Sequence, residues 1–249
     1  MKKKEENIIQ LDYIPQKILL HGDSHIERES RAFSCKKEPE TVRWMEEYIK
    51  PGDTVFDIGA NVGAYTLIMS KLVGDKGMVY AYEPNWPNFH QLNKNILLNH
   101  SQHNTVALNV AITSKKNINT INYQDLEFGS SLHTFGEAVD FVGNTFTPTH
   151  TQFVLGYSID EFVKDFNINI PTHIKLDVDG HEAAIIKGAQ EILRNNKCCS
   201  LMAELNEKFP HDVECINFLR SIGFSVISKT SNPSKFVKSD SVYNYVFAK

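Results

Sequence analysis

Apolar and polar positions change period repeatedly along this chain, and each change marks an element. Behind Pro39, the residues Val42, Met45 and Ile49 recur at near-helical spacing, so a helix runs to about Lys50 and is broken by Pro51-Gly52-Asp53. Thr54–Ile58 then reads as a strand, and a helix follows from about Ala64 to Val73, stopped at Gly74. The alternation continues with a strand at Met78–Tyr82, a helix from Trp86 to about Asn99 and a strand over roughly Thr105–Val110. It resumes with a strand at Ile174–Val178, a helix over Ala183–Arg194, a strand at Ser200–Glu204 and a helix over about Asp212–Ile222. The ending differs. Phe224–Ser228 and Ser241–Ala248 are strand-like runs joined only by a polar loop, too short for a crossover helix, so they should be antiparallel.

This order predicts an α/β fold: a seven-stranded, mostly parallel sheet with helices on both faces and an antiparallel last strand. Residues 1–50 read as an N-terminal extension carrying the amphipathic helix, and 51–249 as the main domain. Residues 1–38 are weakly periodic and should pack on that domain or near its cofactor mouth. Residues 113–156 are too long for a simple connection. With Gly129-Ser130-Ser131 and the aromatics Phe128, Phe135, Phe141, Phe146 and Phe153, they read as an insertion with some strand content, placed to form a substrate pocket or lid.

Composition narrows the function. The 249 residues are 41% hydrophobic and 22% charged with net charge −4, a balance that gives no support for a nucleic-acid surface. No signal-peptide core follows Met1-Lys2-Lys3-Lys4 and no run approaches a membrane span, so the expected location is cytoplasmic. Cys35, Cys198, Cys199 and Cys215 lack metal spacing. The adjacent pair at 198–199 opens a strand, and both read as buried free thiols. His21-Gly22-Asp23-Ser24-His25 reads as a surface turn, since nothing nearby completes a ligand set.

The candidate chemistry begins at Val55-Phe56-Asp57-Ile58-Gly59-Ala60-Asn61-Val62-Gly63, a strand entering a tight turn that opens a helix. Nucleotide-type cofactors are gripped at such turns. Gly59 permits the turn and Gly63 the close approach of the helix. The dinucleotide fingerprint wants glycine where Asn61 stands, to let a pyrophosphate approach. Asp57 would repel phosphates and suits a cationic ligand. The turn therefore fits S-adenosylmethionine (SAM) better than NAD, and a reversed last strand points the same way. Glu83, ending its strand, can take both ribose hydroxyls of an adenosine, though it could instead cap a helix or meet a lysine. Asn109, or the backbone around Ala111, is placed to reach the adenine.

A second constellation is Lys175-Leu176-Asp177-Val178-Asp179-Gly180-His181-Glu182, where a strand leaves the sheet beside the cofactor turn. Asp177, Asp179 and His181 alternate and could share one side of an extended stretch. Three readings stand: a general acid/base set that takes a proton from a hydroxyl, a divalent-cation site, or capping of the next helix by Asp179 and Glu182. A cation is not required by the first and is not expected. Glu204 points at the same crevice and could orient a substrate or the base, or pair with Lys175.

Together these residues resemble the FkbM family of SAM-dependent methyltransferases. The resemblance runs from Pro51 to Asn206. It takes in Pro51-Gly52-Asp53, Asp57–Gly63, Tyr82-Glu83-Pro84-Asn85, Asn95, Asn99, Ala111, Gly129-Ser130-Ser131, Ser158–Phe162, Ile174–Glu182 and Lys187-Gly188-Ala189. Asp179 departs from it, since the family more often has Glu there. The resemblance implies a class I methyltransferase fold of Rossmann-like type and methyl transfer, commonly to a hydroxyl of a sugar or natural product. It implies SAM contacts at Asp57, Gly59, Asn61, Gly63 and Glu83, and active-site roles for Asp177 and His181. The expected partner is a small-molecule or glycan acceptor rather than a nucleic acid. Nitrogen methylation of protein or RNA, or a non-catalytic SAM-binding scaffold, are the rival readings.

Overall fold

The computed structural model describes residues 7–131, 133–138, 145–178, 180–231 and 241–249. The chain opens with a hairpin, β1 (Ile8–Gln10) and β2 (Leu19–His21), followed by the short helices α1 (His25–Glu29) and α2 (Ser34–Lys37) and the longer α3 (Pro39–Tyr48). Next come β3 (Thr54–Ile58), α4 (Ala64–Val73), β4 (Met78–Tyr82), α5 (Trp86–Leu98) and β5 (Thr105–Leu108). A side sheet follows, built from β6 (Ala111–Ile112), β7 (Asn117–Tyr123), β8 (Thr134–Phe135) and β9 (His150–Tyr157). The chain then gives α6 (Ile159–Phe166), β10 (His173–Leu176), α7 (Glu182–Lys187), α8 (Gln190–Arg194), β11 (Ser200–Asn206) and α9 (Pro210–Ser221). It ends with β12 (Ser225–Ser231) and β13 (Val242–Ala248).

The main sheet has seven strands in the order β12-β13-β11-β10-β3-β4-β5. Pairs among β11, β10, β3, β4 and β5 are parallel, while β13 is antiparallel to both of its neighbours. This is the class I methyltransferase arrangement expected from the short polar link before the last strand. The pleat sends alternate side chains to two cores. Val55, Val79, Ala81 and Met202 face a layer with Trp44, Met45, Leu67, Ile68 and Leu92. Phe56, Ile58, Ile174 and Leu176 face Phe162, Ile185, Ile186 and Leu219. Each large apolar side chain so buried contributes roughly 1.5–3 kcal/mol. A polar relay pins α3 to the sheet. Trp44 Nε1 donates to Ser200 Oγ at 3.0 Å, and His173 bridges Ser200 Oγ at 2.7 Å and Asp53 Oδ2 at 3.0 Å.

Several expectations need correction. The helix expected over 183–194 is two helices. Gly188 stands at the break, where a Cβ would lie 2.5 Å from the crossing Thr113 carbonyl oxygen. The strand expected to reach Val110 ends at Leu108, and the chain turns off to start the side sheet. Residues 21–25 are not a loose surface turn. His21 and Ser24 are buried, the His21 N–H donates to Asn95 Oδ1 at 2.8 Å, and Asp23 pairs with Lys94 at 2.6 Å. All four cysteines are free, but Cys199 is only half-buried. Phe141 and Asp179 lie outside the described residues.

Candidate active site

The turn after β3 is held in left-handed backbone at Gly59 (φ 80°), Asn61 (φ 50°) and Gly63 (φ 91°). A Cβ on Gly59 would lie 1.9 Å from the Asp177 carbonyl oxygen, so glycine is required by the close approach of the chain leaving β10. Asn61 tolerates its positive φ by accepting the Val62 N–H on its own side chain at 2.9 Å, a local Asx bond. Its Nδ2 donates to the Ser130 carbonyl at 2.9 Å and so ties the turn to the side-sheet segment. Gly63 caps α4, and Leu92 Cδ1 would lie 2.6 Å from a Cβ there.

Glu83 stands at the end of β4, buried. Its two carboxylate oxygens accept the backbone N–H of Asn61 at 2.7 Å and of Asn85 at 2.9 Å. Burial pushes its pKa up to about 7, against the pull of those two bonds and of Arg31. Asn109 does not reach outward. Its Nδ2 brackets the Glu83 and Pro84 carbonyls at 2.9 Å each, so it fixes the strand end rather than offering itself to an adenine.

Asp57 is fully buried beneath the turn instead of facing a ligand. It accepts the Thr66 hydroxyl at 2.6 Å and lies 3.3 Å from Lys175 Nζ. Lys175 is buried too, and it reaches Asp177 at 3.1 Å and the face of Tyr65 at 5.3 Å. Burial works against the lysine charge, but Asp177, Asp57 and Glu38 outweigh it and hold Lys175 protonated. Asp177 has its side chain 45% exposed. Burial opposes its charge as well, yet Lys175 keeps its carboxyl below the usual range, aided by Lys37 and Arg31. Glu38 is pushed up by burial and by Asp177, and Tyr65 by burial and Glu38. The register pairs Lys175 with Met202, so Glu204, two residues on, shares Lys175's face of the sheet. The ion pairs of Lys175 nevertheless go to Asp57 and Asp177.

The strand ends at Leu176, one residue before Asp177, and Gly180 stands in left-handed backbone at φ 102°. Glu182 folds back on this turn and accepts the N–H of Val178 at 3.1 Å and of Gly180 at 3.0 Å. Asp177 and His181 therefore do not share one side of a strand. Asp177 joins the ionic cluster. His181 lines a concavity with Ile58, Gly59, Pro84, Ala111 and Val178. Burial alone lowers the His181 pKa, which favours a neutral imidazole. Among the described residues, no group of three or more His, Cys, Asp or Glu side chains is arranged to hold a metal ion.

The family model of the methyltransferase FkbM domain matches residues 57–226. The chain belongs to the FkbM methyltransferase family. It is 25% identical over 166 residues to the hexuronic acid methyltransferase AglP of Haloferax volcanii, across 66% of this chain and 62% of that protein. It thus spans less than two thirds of that relative's length. It is similar in structure to the FkbM methyltransferase of Methylobacillus flagellatus KT, with TM-score 0.51 and 15% identity over 83% of this chain and 50% of that chain. It is similar also to Trm5b of Pyrococcus abyssi, with TM-score 0.53 and 14% identity over 98% and 56%. At that identity the likeness shows a shared fold. The chain has the Rossmann-like fold of these proteins, and its family implies SAM as the cofactor.

The residues fit that cofactor. The buried Glu83 carboxylate retains lone pairs beyond its two backbone bonds. The Glu83 and Asp177 carboxylates suit a sulfonium and an ammonium. Sequence reasoning missed Arg31, Glu38 and Tyr65. The first two belong to the weakly patterned segment before the family match, and only tertiary packing brings them to the site.

Proposed function

We propose that this FkbM methyltransferase is a SAM-dependent O-methyltransferase acting on a hydroxyl of a sugar, glycoconjugate or natural-product acceptor, with hexuronic acid glycosides the first class to test. The observation that carries the reading is Asp177, an ionised carboxylate at the end of β10, half-open to solvent and gripped from behind by the buried Lys175. SAM supplies an electrophilic methyl group on a sulfonium. In this reading Gly59, Asn61 and Gly63 cradle the cofactor, Glu83 accepts from its ribose, and Ala111 borders its adenine. Asp57 acts from beneath, as the second anion that fixes Lys175. Asp177 takes the proton of the acceptor hydroxyl as the oxygen is methylated, and Lys175 holds the carboxylate in line. Glu204, on the same face of the neighbouring strand, borders the acceptor. Much of the rate comes from alignment of the two substrates. The side-sheet strands β7 and β9 border the acceptor, and the described part of the N-terminal extension, residues 7–50, completes the site from the other side.

The sugar acceptor is supported by the likeness to a hexuronic acid methyltransferase and by the net charge of −4, which disfavours a nucleic-acid acceptor. No helix of the described residues is long and apolar enough to cross a membrane. A second reading makes His181 the base, favoured by its neutral imidazole. Methyl transfer from isotope-labelled SAM to hexuronic acid glycosides, neutral sugars and amine acceptors separates these. Asp177→Asn should lower turnover by about 10²–10⁴-fold while leaving SAM affinity within about threefold. If Asp177→Asn keeps full turnover and His181→Asn loses it, the base is His181. Transfer only to amines would overturn the O-methyltransferase reading.

A further inference from the structure

We propose that Arg31, from the segment before the family match, is the anchor for a ligand carboxylate in this site. The inference rests on the methyltransferase reading above and deepens it. Arg31 opens a turn of 3-10 helix, Arg31–Phe33, between α1 and α2. Its Nε and Nη2 both donate to the Gly129 carbonyl, at 2.8 and 2.6 Å. That grip fixes the plane of the guanidinium. Gly129 is itself fixed, since its N–H donates to Asn88 Oδ1 at 2.8 Å. The next carbonyl, of Ser130, takes Asn61 Nδ2 at 2.9 Å and Asn88 Nδ2 at 3.0 Å. Arg31 is thus bolted to the cofactor turn through one short segment.

Two of its five N–H donors are used in this way. Among the described residues no other acceptor takes the remaining three, and no carboxylate forms an ion pair with it. Its charge is nevertheless felt by Glu83, by Asp177 and by His133, so the guanidinium lies within electrostatic reach of both carboxylates. The other nearby cations are committed. Lys175 is shared by Asp57 and Asp177, and Lys37 pairs with Glu38 at 3.4 Å. A carboxylate entering beside Glu83 and Asp177 meets repulsion unless a cation receives it. A planar guanidinium with free, pre-aimed donors is suited to that task, and a lysine would be less so.

Two ligands can bring such a carboxylate: SAM, through its amino-acid group, and a uronic acid acceptor. Calorimetry with SAM and with decarboxylated SAM, on wild type, Arg31→Gln and Arg31→Lys, tests the first. Steady-state kinetics with a uronate glycoside and its neutral hexose counterpart tests the second. If the carboxylate is SAM's, Arg31→Gln weakens SAM by about tenfold or more and decarboxylated SAM by less than about threefold, with Arg31→Lys intermediate. If it is the acceptor's, SAM affinity holds while KM rises for the uronate alone. Equal loss for charged and neutral partners, or no loss at all, overturns the assignment, since it would mean that Arg31 only clamps Gly129. Circular dichroism and thermal unfolding check that each variant is folded. Failure of the wild type to bind SAM would overturn the functional reading, and this assignment with it. Binding that Arg31→Gln leaves untouched, with uronate kinetics unchanged, overturns the assignment alone.

Discussion

At the scale of single residues, the site is built from charges placed where water is scarce. Lys175 and Asp57 are buried together, an arrangement that is costly unless each finds a partner, and each does. Asp177, at the rim, gains a fixed orientation from the same lysine while keeping contact with solvent. Glu83 differs, because among the described residues no cation forms an ion pair with it and burial pushes its pKa up to about 7. Its folded-state pKa therefore exceeds its ordinary value of 4.5. Its contribution to stability is fully present below that ordinary value and is lost as pH rises through about 7, where a buried carboxyl must ionise. SAM should respond in the opposite sense, because ribose hydroxyls donate to the carboxylate. Below the pKa, its dissociation constant should rise by up to about tenfold per pH unit. Calorimetry and thermal unfolding between pH 5 and 8 check both slopes. Glu83→Gln should flatten them and weaken SAM at pH 8 by about ten- to a hundredfold. A variant that keeps the wild-type slopes would assign the titration to another group.

At the scale of elements, what the sequence made legible was local. β3, its glycine turn and α4 share one stretch of chain, so the change of period and the two glycines located this strand-turn-helix unit directly. The reversed β13 was legible for the same reason, through the short polar link before it. The side sheet was not. β7 carries Asn117, Asn119, Asn122 and Tyr123 among its seven residues, and β6 and β8 have two each, too few to set a period. The need for glycine at 188 was hidden too, since it comes from the passage of Thr113, far away in sequence. Nor could local spacing show that Asp177 and His181 part company, because the strand ends one residue before the first of them. The junction after that break gives a control. Asp160 of α6 accepts the N–H of Glu191 and of Ile192, both at 3.0 Å, and so satisfies the first turn of α8. Asp160→Ala should cost about 1 kcal/mol by chemical denaturation and leave SAM affinity unchanged. A change in affinity instead would mean that α8 is coupled to the cofactor turn.

At the scale of the whole molecule, the seven-stranded sheet brings the ends of β3, β4 and β10 to one edge, and two outlying parts of the chain close on it. The segment that carries Arg31 and Glu38 comes from before the first strand of the main sheet, and the segment that carries Gly129 and Ser130 comes from beyond β5. The crevice between them is acidic, with Glu83 and Asp177 beside it and Asp57 buried beneath its turn and paired to Lys175. Its floor is a turn with Asn61 at the position where a pyrophosphate needs glycine. Such a field attracts a ligand that carries a sulfonium and an ammonium, and repels one that carries two phosphates. The most direct measurement is a calorimetric titration of the wild-type protein at pH 8 with SAM, with NAD as the control. Saturable one-to-one binding of SAM with no heat from NAD is the predicted result. Binding of NAD, or no binding of SAM to folded protein, would contradict the account at its base.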